Sequence, residues 1–161
     1  MFPCFEHFWT AERLHAVPRC IREFEGRIPS QRSEQIGGNQ ANFAAEEVHR
    51  IESDVLAWRC PSPFDIWHDR AAFHFLTEEA DRTSYAGLAS NSVKSGGILI
   101  VATFALDGPR SCSGLPIYPT SSEMVVDDFA PSFELLESLP YGHVTPNGTT
   151  QRFQVSRFRR K

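Results

Sequence analysis

The chain is poor in the residues that mark several common classes of protein. Its four cysteines, Cys4, Cys20, Cys60 and Cys112, are scattered, with no Cys-x-x-Cys pair and no histidine at zinc-site spacing. That pattern shows no recognisable zinc site, and it fits reduced thiols in a reducing compartment better than a disulfide framework. No apolar run approaches the length of a membrane span. The N-terminal MFPCFEHFW carries acid and aromatic residues where a signal peptide needs a basic flank and an apolar core. Basic charge is short as well: 16 Lys and Arg face 20 Asp and Glu, a net charge of −4. A positive surface of the kind that phosphate binding uses is therefore not indicated. The one basic run, Arg157–Lys161, reads as the solvated end of a terminal strand. Asn147-Gly148-Thr149 matches a glycosylation sequon, which has no acceptor role without secretion. These absences lead us to expect a cytoplasmic protein with neither nucleic acid nor membrane as partner.

What is present is ordinary globular composition. With 161 residues, 41% apolar and 22% charged, the chain has one domain's length and enough apolar surface for a single core. Its first 46 residues read differently from the rest. Phe5, Phe8, Trp9 and Ala16 recur at helical spacing, which predicts a short amphipathic helix up to Pro18. Gly26, Pro29, Gly37 and Gly38 then fall among polar residues and read as loop.

From Val48 the signals sharpen. Val48–Ser53 predicts a short strand ending at Asp54, and Phe64–His68 a buried strand with a turn through Phe73, Phe75 and Leu76 beneath it. Thr77 is the expected N-cap of a helix that opens with Glu78 and Glu79, buries Tyr85, Leu88 and Ala89, and stops before Gly96-Gly97. Ile98–Ala105 is a near-continuous apolar run, as a parallel strand covered on both faces requires. The Gly-, Pro- and Ser-rich stretch Leu106–Pro119 reads as loop. Ser121 or Ser122 then caps a helix to Phe129, with Val125 and Phe129 four apart on one face. Phe133–His143 and Thr150–Phe158 flank Pro146-Asn147-Gly148, a strong hairpin signal. Strand, helix, strand, helix and hairpin make an open α/β sheet with one reversed strand.

Specific residues on that frame resemble a known family, the class I S-adenosylmethionine-dependent methyltransferases, from about Val48 to Arg159. Ile51-Glu52-Ser53-Asp54-Val55 resembles the end of the family's third strand. The resemblance implies that Asp54 accepts from the adenine amino group and that the next backbone N–H, of Val55, meets a ring nitrogen. Phe64–Arg70 (FDIWHDR) resembles the fourth-strand motif, whose end lies beside the methionine part of the cofactor. His68, Asp69 and Arg70 are then cofactor contacts, with Asp69 able to meet the methionine ammonium. Lys94-Ser95-Gly96-Gly97 looks like the turn into strand five, with Ser95 in place of the usual proline. Thr103-Phe104-Ala105, Asp107-Gly108-Pro109 and Cys112–Pro116 resemble a subgroup of small bacterial-type members. The fold implied is an incomplete Rossmann-like methyltransferase sheet over residues 47–161, mostly parallel with a C-terminal antiparallel hairpin and helices on both faces. Residues 1–46 form a divergent segment before it. The family's glycine-rich cofactor loop has no counterpart there: Ile36-Gly37-Gly38-Asn39 is the only glycine pair, and no β-branched strand precedes it.

The implied activity is methyl transfer from S-adenosylmethionine to a small-molecule acceptor. Ligands of an open α/β sheet sit outside the C-terminal strand ends, where Asp54 and His68-Asp69-Arg70 are expected. His74 matches a family position near the pocket, and an imidazole suits general-base work near neutrality. Each of these residues has an alternative: Asp54 as a turn cap, Asp69 and Arg70 as a surface ion pair, His74 as a core residue. Metal binding by His68 and His74 lacks a third ligand. Phe73-His74-Phe75 offers aromatic walls that suit a sulfonium or plain core packing alike, and Arg110–Pro116 is expected to line the acceptor side. The alternative function is a non-catalytic methyltransferase-like domain, truncated or rearranged. Its incomplete sheet would expose a strand edge for a protein partner or for self-association.

Overall fold

The structure, a computed structural model, describes residues 53–70, 72–145 and 148–161. The expected N-terminal helix, the glycine pair at 37–38 and the body of the Val48–Ser53 strand lie outside these residues. The elements run β1 (Phe64–Arg70), a single 3-10 turn (Phe73–Phe75), α1 (Glu79–Ser92), β2 (Val93–Phe104), β3 (Ser111–Cys112), β4 (Leu115–Pro116), α2 (Ser122–Phe129), β5 (Phe133–Val144) and β6 (Thr150–Arg160). Four strands form one sheet in the order β1-β2-β6-β5, and β3 and β4 form a small ribbon of their own.

β1 and β2 pair in parallel, from Ile66 opposite Ile98 to Arg70 opposite Ala102. β6 lies antiparallel between β2 and β5. It is the reversed strand that the Asn-Gly signal implied. Because it sits in the interior, one of the three pairings among the described residues is parallel, so a mostly parallel sheet is not found within them. The basic run at the C-terminus belongs to this interior strand: Arg160 donates to the carbonyls of Ser90 and Ser132, both at 3.0 Å.

The largest core cluster lies on one face, and a smaller one, Ile100, Ala102 and Val155, lies on the other. Tyr85 and Ala89 from α1 and Val125 and Phe129 from α2 pack on Trp67, Leu99, Val101 and Phe158 of the sheet. Phe73, Phe129 and Phe158 are fully buried there, and Phe129 stacks within 5.1 Å of Phe73 and 5.6 Å of Phe158, centroid to centroid. Burying one such ring contributes about 1.5–3 kcal/mol. Among the described residues both helices lie on this face, so helices on both faces are not found within them.

Local chemistry explains the element ends. Ser121 caps α2, its Oγ accepting the Met124 N–H at 3.4 Å. At α1 the N-cap is Glu78 rather than Thr77. The Thr77 carbonyl instead accepts from Arg82. β2 begins directly after α1 at Val93, five residues earlier than the apolar run suggested. The register shows why: while β1 advances from Phe64 to Ile66, its partner advances from Val93 to Ile98, so Lys94–Gly97 bulges out. Gly96 takes φ +79°, and a Cβ on Gly97 would lie 2.8 Å from the Asp65 carbonyl and 2.9 Å from that of Lys94.

Candidate functional site

The parallel pairing of β1 with β2 sets Arg70 and Phe104 at the same end of the sheet, where ligands of open α/β sheets bind. What the chain builds there is a shelf after β1 and an arm after β2.

The shelf depends on Asp69. Strand alternation puts Asp69 on the face of Trp67, toward α1, and puts His68 and Arg70 on the other. Asp69 is only 3% exposed. Its Oδ1 accepts the Ala72 N–H at 2.7 Å, and its Oδ2 accepts the Phe73 N–H at 3.0 Å and the Tyr85 hydroxyl at 2.5 Å. The same Tyr85 oxygen accepts from the Trp67 indole N–H at 3.0 Å. Burial pushes the Asp69 carboxyl up, and its hydrogen bonds, the Tyr85 one foremost, pull it back. Burial and the Asp69 charge together push the Tyr85 phenol well above its ordinary value. Asp69 thus ties off the 3-10 turn, and both its oxygens are engaged within the chain. The expected contact of Asp69 with a cofactor ammonium is not what this geometry builds, and Asp69 and Arg70, on opposite faces, do not form an ion pair.

His74 is 1% exposed, with its ring 4.4 Å from that of Phe75 and 4.9 Å from that of Phe104. Neither ring nitrogen has a hydrogen-bond partner. Burial lowers its pKa from 6.5 to about 3. An imidazole held neutral over that range is a poor proton acceptor, so the expectation of a near-neutral general base is corrected. His68 is half-buried on the face of Ile100, and Arg70 is exposed at the strand end. Asp54 lies in a turn: its Oδ1 accepts the Leu56 N–H at 2.9 Å, and its carbonyl accepts from Ala57 and Trp58. Val55 is buried in the main core beside Trp58. The capping alternative for Asp54 is therefore realised, while its Oδ2 carries no hydrogen bond among the described residues.

The arm is the stretch read as loop. Ser113 and Gly114, at φ 54° and 79°, turn the chain between β3 and β4. The Tyr118 N–H donates to the His74 carbonyl at 2.6 Å, and the Thr120 N–H to that of Phe104 at 2.9 Å. A 2.5 Å hydrogen bond joins the buried Thr103 and Thr120 hydroxyls. Beneath the arm Phe104, Ile117 and Phe153 are buried, with Phe75, Cys112 and Tyr141 packed against them. Two residues that the sequence did not single out for the site order it, with Tyr85 expected only as a core residue of the helix and Arg82 not at all. Tyr85 orders the shelf through Asp69. Arg82 binds the carbonyls of Leu76 and Thr77 and stacks on Tyr118. The signal for Arg82 was its spacing, three before Tyr85 and seven before Ala89, which places a charged residue on the buried stripe of α1.

No protein-family model matches this chain, and no curated protein matches it in sequence. Solved structures do match in fold. A methyltransferase from Methanosarcina mazei, described as S-adenosylmethionine-dependent, superposes with a TM-score of 0.60 at 11% identity, over 70% of this chain and 67% of that one. The N-methyltransferase NodS of Bradyrhizobium japonicum gives 0.55 at 14% identity, over 71% of this chain and 60% of that one. The 1,6-didemethyltoxoflavin-N1-methyltransferase of Burkholderia thailandensis, crystallised with its namesake compound and S-adenosylhomocysteine, gives 0.58 at 18%, over 73% and 52%. The chain thus spans between about half and two-thirds of the length of these three structures. The likeness shows the fold of S-adenosylmethionine-dependent methyltransferases, as the sequence resemblance implied.

Proposed function

We propose that this chain transfers a methyl group from S-adenosylmethionine to a small-molecule acceptor. The observation that carries the reading is the joining of shelf and arm at one end of the β1–β2 pair, through the Tyr118 N–H and the His74 carbonyl. The fold shared with the methyltransferases supports it, since ligands of open α/β sheets occupy that end of the sheet.

The residues present fit the cofactor in part. Asp54 Oδ2 is an acceptor without a described donor, of the kind an exocyclic adenine amino group needs. We assign Asp54 and the backbone of Val55 to the adenine side. His68 and Arg70, on the sheet face away from α1, are assigned to the amino-acid side, where a guanidinium can hold a carboxylate in a two-pronged contact. Asp69 is a positioning residue in this scheme: it fixes the turn that follows β1. The cofactor supplies an activated methyl on a sulfonium, and the protein's task is alignment for in-line displacement. The aromatic shelf of Phe75 and Phe104, with His74 kept neutral between them, excludes water from that end of the sheet without placing a competing charge there. The reading favours acceptors that reach the protein already able to attack, because the shelf supplies no near-neutral base.

Titration calorimetry of the full chain with S-adenosylmethionine and S-adenosylhomocysteine tests this reading. Saturable binding of both is expected. No binding at millimolar ligand would overturn it in favour of a methyltransferase-like domain that does not turn over.

A further inference from the structure

Arg82 is a charged residue buried at the meeting point of four segments. Its side chain is 9% exposed. Nη1 donates to the carbonyls of Leu76 at 3.2 Å and Thr77 at 2.8 Å, where the shelf ends and α1 begins. Nε lies 3.4 Å from Asp128 Oδ1 on α2. The guanidinium carbon stands 3.8 Å over the centroid of the Tyr118 ring, in the stem of the arm. Burial pushes the half-buried Asp128 carboxyl up, and the Arg82 charge opposes that.

We propose that Arg82 is the positioning residue of the arm: acting through the face of Tyr118, it sets where the β3–β4 ribbon lies over the strand ends. That the arm is the acceptor side rests on the methyltransferase reading; the latch itself does not. The geometry supports the assignment in two steps. Nη1 donates to the carbonyls of Leu76 and Thr77 while Nε faces Asp128, and these contacts on two nitrogens of one rigid plane fix the orientation of the guanidinium. A fixed, desolvated cation then offers one face to an aromatic ring, and Tyr118 takes it. The backbone bond from Tyr118 to His74 adjoins this contact, so the ring and the amide of one residue tie the stem to the shelf. Beyond Tyr118, Ile117 bonds back to Arg110 at 3.3 Å and the ribbon begins.

Amide hydrogen exchange on the full chain tests the latch without any ligand. Tyr118→Leu keeps apolar bulk but removes the ring, and we expect roughly tenfold faster exchange at the amides of Ile117 and Tyr118. The amides of Leu99 and Phe158 in the central strands serve as the folding control and should hold their protection. Tyr118→Phe retains the ring face and should behave as the unaltered chain. Arg82→Lys, which has neither an Nε to meet Asp128 nor a planar face to lay on the ring, should fall between. Unchanged exchange in Tyr118→Leu, or equal loosening in Tyr118→Leu and Tyr118→Phe, would overturn the latch. Titration with S-adenosylhomocysteine addresses the acceptor-side assignment separately: Tyr118→Leu should bind it as the unaltered chain does. Loss of that affinity in the variant would overturn the assignment while leaving the exchange result intact. Failure of the unaltered chain to bind would count against the methyltransferase reading and not against the latch.

Discussion

Asp69 and Tyr85 meet in a 2.5 Å hydrogen bond between two buried oxygens, one at the end of β1 and the other in the second turn of α1. The pair is buried, and both oxygens of the Asp69 carboxylate are engaged within the chain. Its effect is to convert a carboxylate at a strand end into a structural cap: two backbone N–H groups and one hydroxyl fill its oxygens, and the chain turns sharply through Phe73–Phe75. A buried charge without such donors would be strongly disfavoured. With them, the carboxylate fixes where His74 and its carbonyl lie, and so where the arm can attach.

Tyr85→Phe should therefore weaken the fold while keeping the ring packing against Trp67 and Phe73. It removes one donor from Asp69 and leaves the Trp67 indole N–H without its acceptor. A buried polar group left unsatisfied costs about 1–3 kcal/mol. A urea midpoint lowered by that loss divided by the slope, with the slope itself unchanged, is the expected result. A midpoint equal to that of the unaltered chain would show that the carboxylate does not depend on Tyr85.

His74 gives stability a dependence on pH. Its ordinary pKa of 6.5 holds in the unfolded chain, and burial lowers the folded value to about 3. Between those values the unfolded state binds the extra proton, so stability is full above about pH 6.5 and is lost as pH falls toward 3. The slope from one such group approaches about 1.4 kcal/mol per pH unit. Asp69 and Asp128 act in the opposite sense, since their folded carboxyls are raised and bind protons first. A comparison with His74→Phe isolates the histidine. The two nitrogens have no partners to lose, so the variant should be no less stable at pH 7 and markedly more stable at pH 4.5. Parallel stability profiles for the two proteins would refute it.

How much of this was legible in the sequence follows from what kind of signal each feature leaves. Ser121 with Val125 and Phe129 announced α2, because a cap and an i, i+4 pair are local. The β2 core and the C-terminal hairpin were equally plain, the one from its apolar run and the other from Asn147-Gly148. The arm was missed as structure because strands of two residues have no period to read, although Ser113-Gly114 is a turn dipeptide. The inward turn of Asp69 is not legible because its hydroxyl partner, Tyr85, lies sixteen residues on and is supplied by the tertiary fold. The order His-Asp-Arg does not say which of the three residues faces inward. The expectation of a basic His74 fails for the same reason: burial lowers its pKa, and neighbours such as Phe104, thirty residues away in the chain, are brought against it by the fold.

The two glycines at the entry to β2 should differ in what they tolerate. Gly96 has a positive φ of 79° but open space around it. Gly96→Ala then costs only the left-handed conformation, about 1–2 kcal/mol. Gly97 has an ordinary φ, yet a Cβ there would sit 2.8 Å from the Asp65 carbonyl and 2.9 Å from that of Lys94. Both are backbone atoms on the two sides of the β1–β2 pair, so the strands themselves must shift. Gly97→Ala should be the more damaging of the two in thermal denaturation, and the reverse order would contradict the bulge geometry.

Asp54 offers the sharpest check on the cofactor side, because its two oxygens have separable tasks. Oδ1 holds the Leu56 N–H at 2.9 Å and so shapes the turn. Oδ2 is the atom assigned to an adenine amino group. Asp54→Asn can keep the first bond through its carbonyl oxygen, but it presents an NH₂ donor where the second task needs an acceptor. Donor then faces donor, and the affinity for S-adenosylhomocysteine should fall about tenfold, or roughly 1.4 kcal/mol. The melting temperature should move little, since the turn is retained. Asp54→Ala loses both bonds, and it should lower affinity and stability together. If Asp54→Asn bound the nucleoside as tightly as the unaltered chain, Asp54 would be a turn cap alone, and the adenine side of the site would have to be sought elsewhere in the chain.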